Sequence, residues 1–121
     1  MQWEVEYTDA FGAWWDSLTE AEQISVRASV QVLGERGPAL GRPHVDSIKG
    51  SKFPNMKELR AQHSGEPYRI LFAFDPRRTA ILLIGGNKIG NNRWYREFIS
   101  KADKLYEAHL RTLTHEDHGR G

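Results

Sequence analysis

The sequence predicts a two-layer α+β domain in the order β-α-α-β-β-β-α, with a mainly antiparallel sheet and its helices packed on one face. Three observations carry this reading. Apolar residues alternate with polar ones over residues 2–7, and three strand-like runs follow at 56–63, 68–75 and 79–84. Two stretches between Asp9 and Arg36, and one after Asn92, carry apolar residues at helical spacing. The links between the later runs, Gly65-Glu66-Pro67 and Pro76-Arg77-Arg78, are too short for a crossover, so the three strands form an antiparallel meander.

Taken in order, Trp3, Val5 and Tyr7 share one face of the first strand, and Gln2, Glu4 and Glu6 the other. Asp9 can cap a helix with Phe11, Trp14, Trp15 and Leu18 at helical spacing. Thr19-Glu20-Ala21-Glu22 is a capping box, and the helix it opens runs to about Arg36, where Gly37-Pro38 stops it. This helix has two apolar stripes, Ile24/Ala28/Val32 and Val26/Val30/Leu33. One faces the sheet; the other meets another helix or a partner protein. Residues 39–55 hold Pro, Gly and basic residues without periodicity, which reads as a long loop with a short helical turn near 45–48. In the next two runs, Leu59 and Ala61 point into the core, as do Ile70, Phe72 and Phe74. Glu58, Arg60, Gln62 and Arg69 then point out of it. Asn91 or Asn92 caps the last helix, in which Phe98, Ala102 and Leu105 share a face with Ile99, Tyr106, Leu110 and Leu113. The domain occupies residues 1–113, and residues 114–121, with His115 and His118, read as a polar, disordered tail.

A chain of 121 residues suits one domain. Its net charge of +1 argues against a uniformly basic polyanion binder, so a nucleic-acid role must rest on a local patch. Such a patch is available. Glu4, Glu6, Asp9, Asp16, Glu20 and Glu22 make the start acidic, whereas residues 42–57 are rich in Lys and Arg. With no cysteine, disulfide scaffolds and Cys-based zinc sites are excluded, and a reducing cytoplasm fits. No apolar run approaches the roughly 20 residues of a membrane span. Neither a metal nor a cofactor is expected.

The outward sheet face gathers Arg60 and Arg69, and Lys88 follows Gly85-Gly86-Asn87 at the end of the third run. Guanidinium forks and a lysine on one surface have the chemistry of a phosphate site. Glu58 lies two positions from Arg60 and either orients it or serves as a base. His44 and His63 are acid–base candidates, although His63 falls on the core-facing register of its strand.

This order of elements resembles the HigB-like, phage-derived branch of the RelE/ParE toxin superfamily. The residues that carry the likeness are Lys49-Gly50, Met56-Lys57-Glu58-Leu59-Arg60, Tyr68-Arg69-Ile70-Leu71-Phe72, Gly86-Asn87-Lys88 and the stretch from Trp94-Tyr95-Arg96 to Leu110. The resemblance implies a RelE-like fold and the toxin of a type II toxin–antitoxin system. It implies a metal-independent, cytoplasmic endoribonuclease, an mRNA interferase that acts on the ribosome and inhibits translation. The implied partner is a helix-turn-helix antitoxin, and operator DNA is met only through that antitoxin. Arg60, Arg69, Lys88, Glu58 and Tyr95 are the catalytic set so implied. By their charge, Arg42, Lys49, Lys52 and Lys57 form a footprint for ribosomal RNA; Arg93, at the start of the last helix, lies where the family completes its site and joins the RNA contacts, and Trp94 and Tyr95 can stack on bases. The same superfamily also holds ParE-like inhibitors of DNA gyrase. A gyrase inhibitor, or an inactive antitoxin-binding module, is therefore the alternative, because fold does not decide function.

Overall fold

The computed structural model describes the backbone of residues 2–87 and 92–120, with side chains there apart from 92, 94 and 115–120. Lys88 and Asn91 therefore lie outside the described residues, as do the side chains of Trp94, His115 and His118. The elements are β1 (Val5–Tyr7), α1 (Asp9–Asp16), α2 (Glu20–Arg36), a 3-10 turn (Gly37–Ala39), β2 (Val45–Ser47), β3 (Lys57–His63), β4 (Glu66–Phe74), β5 (Ala80–Asn87) and α3 (Asn92–Arg120). One sheet runs β1-β5-β4-β3-β2. β1 pairs parallel to β5, and every other pair is antiparallel.

Local chemistry sets the helix ends. Thr8 rather than Asp9 caps α1: its Oγ1 accepts from Phe11 N at 3.1 Å and donates to Leu83 O at 2.7 Å, which ties the helix start to β5. The capping box of α2 is formed, with Glu22 N donating to Thr19 Oγ1 at 3.1 Å and Thr19 N to Glu22 Oε1 at 2.7 Å. Gly37 ends that helix at φ 59°, and a Cβ there would sit 2.3 Å from the Trp3 ring. Only glycine meets both demands. On α2 the Val26/Leu33 stripe is buried, whereas Ile24 is 61% exposed.

Two elements differ from the expected pattern. Residues 45–47 form a strand, not a helical turn, because Val45 is buried opposite Leu59 and Arg60 N donates to His44 O at 2.8 Å. The last helix continues through residues 114–120, where a separate tail was expected. No Gly or Pro precedes Gly119 to stop it, and Thr114 Oγ1 still donates to Leu110 O at 3.1 Å.

The helices divide between the two faces of the sheet, where the sequence reading had placed them on one. Leu59, Ala61, Tyr68, Ile70, Phe72, Ala80 and Leu82 pack under α1 and α2. Met56, Leu71, Ala73, Ile81 and Leu83 form a second core with Phe98, Ile99, Ala102 and Tyr106 of α3. The physical reason lies in Ile70-Leu71-Phe72-Ala73 and Ala80-Ile81-Leu82-Leu83. These continuous apolar runs present hydrophobic side chains to both faces, so both must be covered. The far half of α3 is pinned by Asp75, whose side chain is fully buried: Asp75 Oδ2 lies 2.9 Å from His109 Nε2 and 2.8 Å from Arg77 Nη2.

Candidate functional site

Strand register builds the site. Arg60 pairs directly across from Arg69, and Asp46 across from Glu58. Alternation turns all four side chains to the α3 face, at the end of the sheet beyond the apolar core. The N-terminal part of α3 brings Tyr95 to the same corner. Like charges directly opposite each other destabilise a strand pair, and here Glu58 offsets that repulsion. Its Oε2 accepts from Arg60 Nε at 3.1 Å and lies 3.5 Å from Arg69 Nε, while its Oε1 accepts from the Tyr95 hydroxyl. Glu58 is only 4% exposed, so the carboxylate and the two guanidiniums face each other with little water between them.

Asp46 holds the other end of Arg60, with Oδ2 3.0 Å from Arg60 Nη2, and its Oδ1 lies 3.2 Å from Nε of the exposed Arg42. The hydrogen bond to Glu58 raises the pKa of Arg60 above its ordinary value. Burial, followed by the Glu58 hydrogen bond, raises that of Tyr95, so its phenol stays protonated and acts as a donor. Arg69 Nη1 donates to Tyr68 O at 3.2 Å, and its buried Nε makes no hydrogen bond. Among the described residues, Arg60 Nη1 and Arg69 Nη2 have no hydrogen-bond partner. Both nitrogens keep their donor capacity, which a guanidinium can offer to an oxyanion.

Of the residues singled out from the sequence, Glu58, Arg60, Arg69 and Tyr95 thus meet, and Arg42 joins them through Asp46. Lys57 does not: it sits opposite Phe72 on the face covered by α1 and α2. Alternation sends neighbours on a strand to opposite sides, so Lys57 cannot share the Arg60 surface. Arg93 is exposed on α3, 3.3 Å from Glu97. Lys49 and Lys52 line a separate groove of about 350 Å³ with Arg96 and Lys104, and Lys52 Nζ lies 3.4 Å from Glu107. Buried Asp103 fixes that loop by accepting from Ser51 Oγ and from Lys52 N at 2.9 Å. His63 Nδ1 is 2.9 Å from Ser25 Oγ, a structural link to α2. His44 lies at a cleft beside Arg60 and Arg69. Asp46, Arg96 and Lys104 were not singled out. The only sequence signal for Asp46 is its spacing of four from Arg42, and nothing in a three-residue strand announces its pairing.

Fold and site together define a small α+β protein with a corner of two paired arginines that share one carboxylate. The chain belongs to the phage derived protein Gp49-like family, whose model matches residues 13–107. It is 47% identical over 104 residues to the candidate toxin HigB2 of Mycobacterium tuberculosis, an alignment covering 84% of this chain and 52% of that protein. The chain therefore spans about half the length of HigB2. To the candidate toxin HigB3 of the same organism it is 47% identical over 109 residues, 89% of this chain and 90% of that protein. Among solved structures, the isolated E. coli RelE toxin superposes with a TM-score of 0.58 at 11% identity, covering 79% of this chain and 95% of that one. A chain of the archaeal RelE–RelB complex from Pyrococcus horikoshii gives a TM-score of 0.55 at 15% identity, covering 75% of this chain and 100% of that one. The fold is RelE-like.

Proposed function

We propose that this protein is the toxin of a type II toxin–antitoxin pair and cleaves mRNA on the ribosome without a metal ion. The observation that carries this reading is the corner in which Arg60 and Arg69 share Glu58 beneath Tyr95, on a fold shared with RelE and in a family whose relatives include HigB2 and HigB3.

The 2′-hydroxyl oxygen attacks the neighbouring phosphorus, the bond to the 5′-oxygen breaks, and the products are a 2′,3′-cyclic phosphate and a 5′-hydroxyl. The attacking hydroxyl gives up a proton and the leaving oxygen gains one. Arg60 and Arg69 hold the phosphate and stabilise the charge that builds on its oxygens, the largest contribution in many such sites. Glu58 fixes the two guanidiniums side by side through Oε2, while its Oε1 is taken by the Tyr95 hydroxyl, which favours positioning over proton abstraction. Tyr95, a neutral phenol beside them, is the donor for the leaving oxygen. Arg42, Lys49, Lys52 and Arg93, with Arg96 and Lys104, supply basic contacts that position RNA without reading its sequence. The partner is a helix-turn-helix antitoxin, and the site of action is the cytoplasm.

The test is induced expression with mapping of mRNA 5′ ends. Wild type should stop growth and generate new ends within translated frames. Arg60→Ala and Arg69→Ala should stay folded and lose about 100-fold or more in cleavage. Growth arrest with intact mRNA and broken chromosomal DNA would instead favour gyrase inhibition. Normal growth with folded protein would favour an inactive antitoxin-binding module.

A further inference from the structure

β2 stops pairing at Val45 opposite Leu59, yet β3 continues to His63. Past that point no strand among the described residues lies beside the outer edge of β3. Arg60 N donates outward to His44 O at 2.8 Å, so the backbone groups of Arg60, and by alternation those of Gln62, face this edge. His44 N donates instead to Gly41 O at 3.0 Å. The Arg60 carbonyl and the Gln62 amide and carbonyl are thus left open, with no backbone partner among the described residues. An open edge of this kind is a ready row of donors and acceptors.

A cleft of about 450 Å³ lies against this edge, lined by Ser29 of α2, His44, Gln62, Arg60 and Arg69. Its volume falls in the range of small-molecule sites, roughly 300–1,000 Å³. Among the described residues, no acidic side chain lines it. The two arginines that line it are the ones whose remaining donors suit a phosphate. The rest of the lining offers a hydroxyl, an imidazole, a carboxamide and open backbone groups. Cations together with mixed hydrogen-bonding groups in one cleft match the phosphate and the base of one nucleotide.

We infer that this cleft takes the nucleoside next to the phosphate held by Arg60 and Arg69, and that its base is read along the open edge of β3 with help from the Gln62 side chain. Single-stranded RNA can present such a base, because an unstacked nucleotide exposes its hydrogen-bonding edges. The site is then a nucleotide site, with base preference set at the cleft and phosphate chemistry at Arg60, Arg69 and Tyr95. This rests on the RNA-cleaving reading above, and the experiment separates the two.

A short single-stranded RNA, made uncleavable by a 2′-deoxy residue at the cut, is titrated into the 15N-labelled full chain. A second strand differs only in lacking the base beside that phosphate. The intact strand should shift the Gln62 amide and bind at least several-fold more tightly than the abasic one. Ser29→Trp, which fills the cleft, should abolish that difference, and a melting curve shows whether the variant is folded. Gln62→Ala should flatten the base distribution beside the mapped cuts, whatever the change in overall cutting. Equal affinity and equal Gln62 shifts for the two strands, or an unchanged base distribution in Gln62→Ala, would overturn the inference. Base-dependent binding in a protein that cuts no mRNA would keep the cleft assignment and remove the nuclease.

Discussion

Replacing Glu58 with alanine tests the central feature of the site, a single buried carboxylate that holds two cations. The Glu58 and Arg69 side chains are 5% and 12% exposed, so their attraction is poorly screened and each is costly to leave alone. Removing one partner of such a pair destabilises by about 3–5 kcal/mol. Arg60, at 35% exposure, keeps Asp46, and pairs near the surface contribute only about 0–1 kcal/mol, so the penalty falls mainly on Arg69. The Tyr95 hydroxyl also loses its Glu58 acceptor, which pushes the total toward the upper end. At roughly 3–5 °C per kcal/mol for a chain of this size, Tm should fall by about 10–20 °C. Calorimetry on wild type, Glu58→Ala, Arg69→Met and the double variant isolates the pair. Without Arg69 the alanine no longer strands a buried charge, so the double variant should be more stable than the sum of the single losses, with a coupling of about 2 kcal/mol or more. A coupling below about 0.5 kcal/mol, or a Glu58→Ala protein that melts like wild type, would refute the shared-carboxylate argument.

Asp46→Asn should change stability by less than about 1 kcal/mol, since its arginine partners keep contact with water. Single-turnover cleavage should nevertheless slow by about ten-fold or more as Arg60 loses its second anchor; a wild-type rate would show that Asp46 does not position it. At Asp75, burial pushes the carboxyl up, but hydrogen bonds from Arg77 and His109 and from the Thr79 and Arg77 amides prevail, and its pKa is lowered. Its stabilisation is therefore present above the unfolded value near pH 4 and is lost as pH falls through the lower folded value. Acid melts should accordingly show a steeper loss below about pH 4 in wild type than in Asp75→Asn, and parallel curves would contradict this. Gly85→Ala places a Cβ 2.2 Å from the Trp14 ring. Urea unfolding should report a loss of about 1–3 kcal/mol, and an unchanged midpoint would mean that the ring moves freely.

How much of this was legible depended on the length of each pattern. β3 has one buried face over seven residues, so Leu59 and Ala61 could be placed inward and Arg60 beside Arg69. β2 has three residues, too few to show a period, and without it Asp46 has no visible link to Arg60. The second core was hidden differently. Continuous apolar runs in β4 and β5 were read as half-buried strands, although such runs mark strands covered on both faces. Giving Leu71, Ala73, Ile81 and Leu83 their own cover would have placed α3 opposite the other helices. Lys57 was assigned by charge alone, and its odd position in the strand already excluded it from the Arg60 face.

The position of α3 ties the core and the site to one element. One helix supplies Phe98, Ile99, Ala102 and Tyr106 to the second core and Tyr95 to Glu58, and presents Arg96 and Lys104 beside Lys49 and Lys52. Elsewhere the chain follows local rules: its capping box closes, its glycine ends a helix where a Cβ would collide, and its apolar strands are covered. Two arginines placed directly opposite each other break those rules, as does a buried guanidinium nitrogen without a hydrogen bond. A protein selected only for stability would remove one of these cations, since apolar replacement of a buried ion pair is often neutral or favourable. Such local violations are expected where function requires them. An anion that replaces part of the Glu58 contact would satisfy both arginines at once, which is the property required of a site that binds a phosphate and strengthens its hold as charge develops.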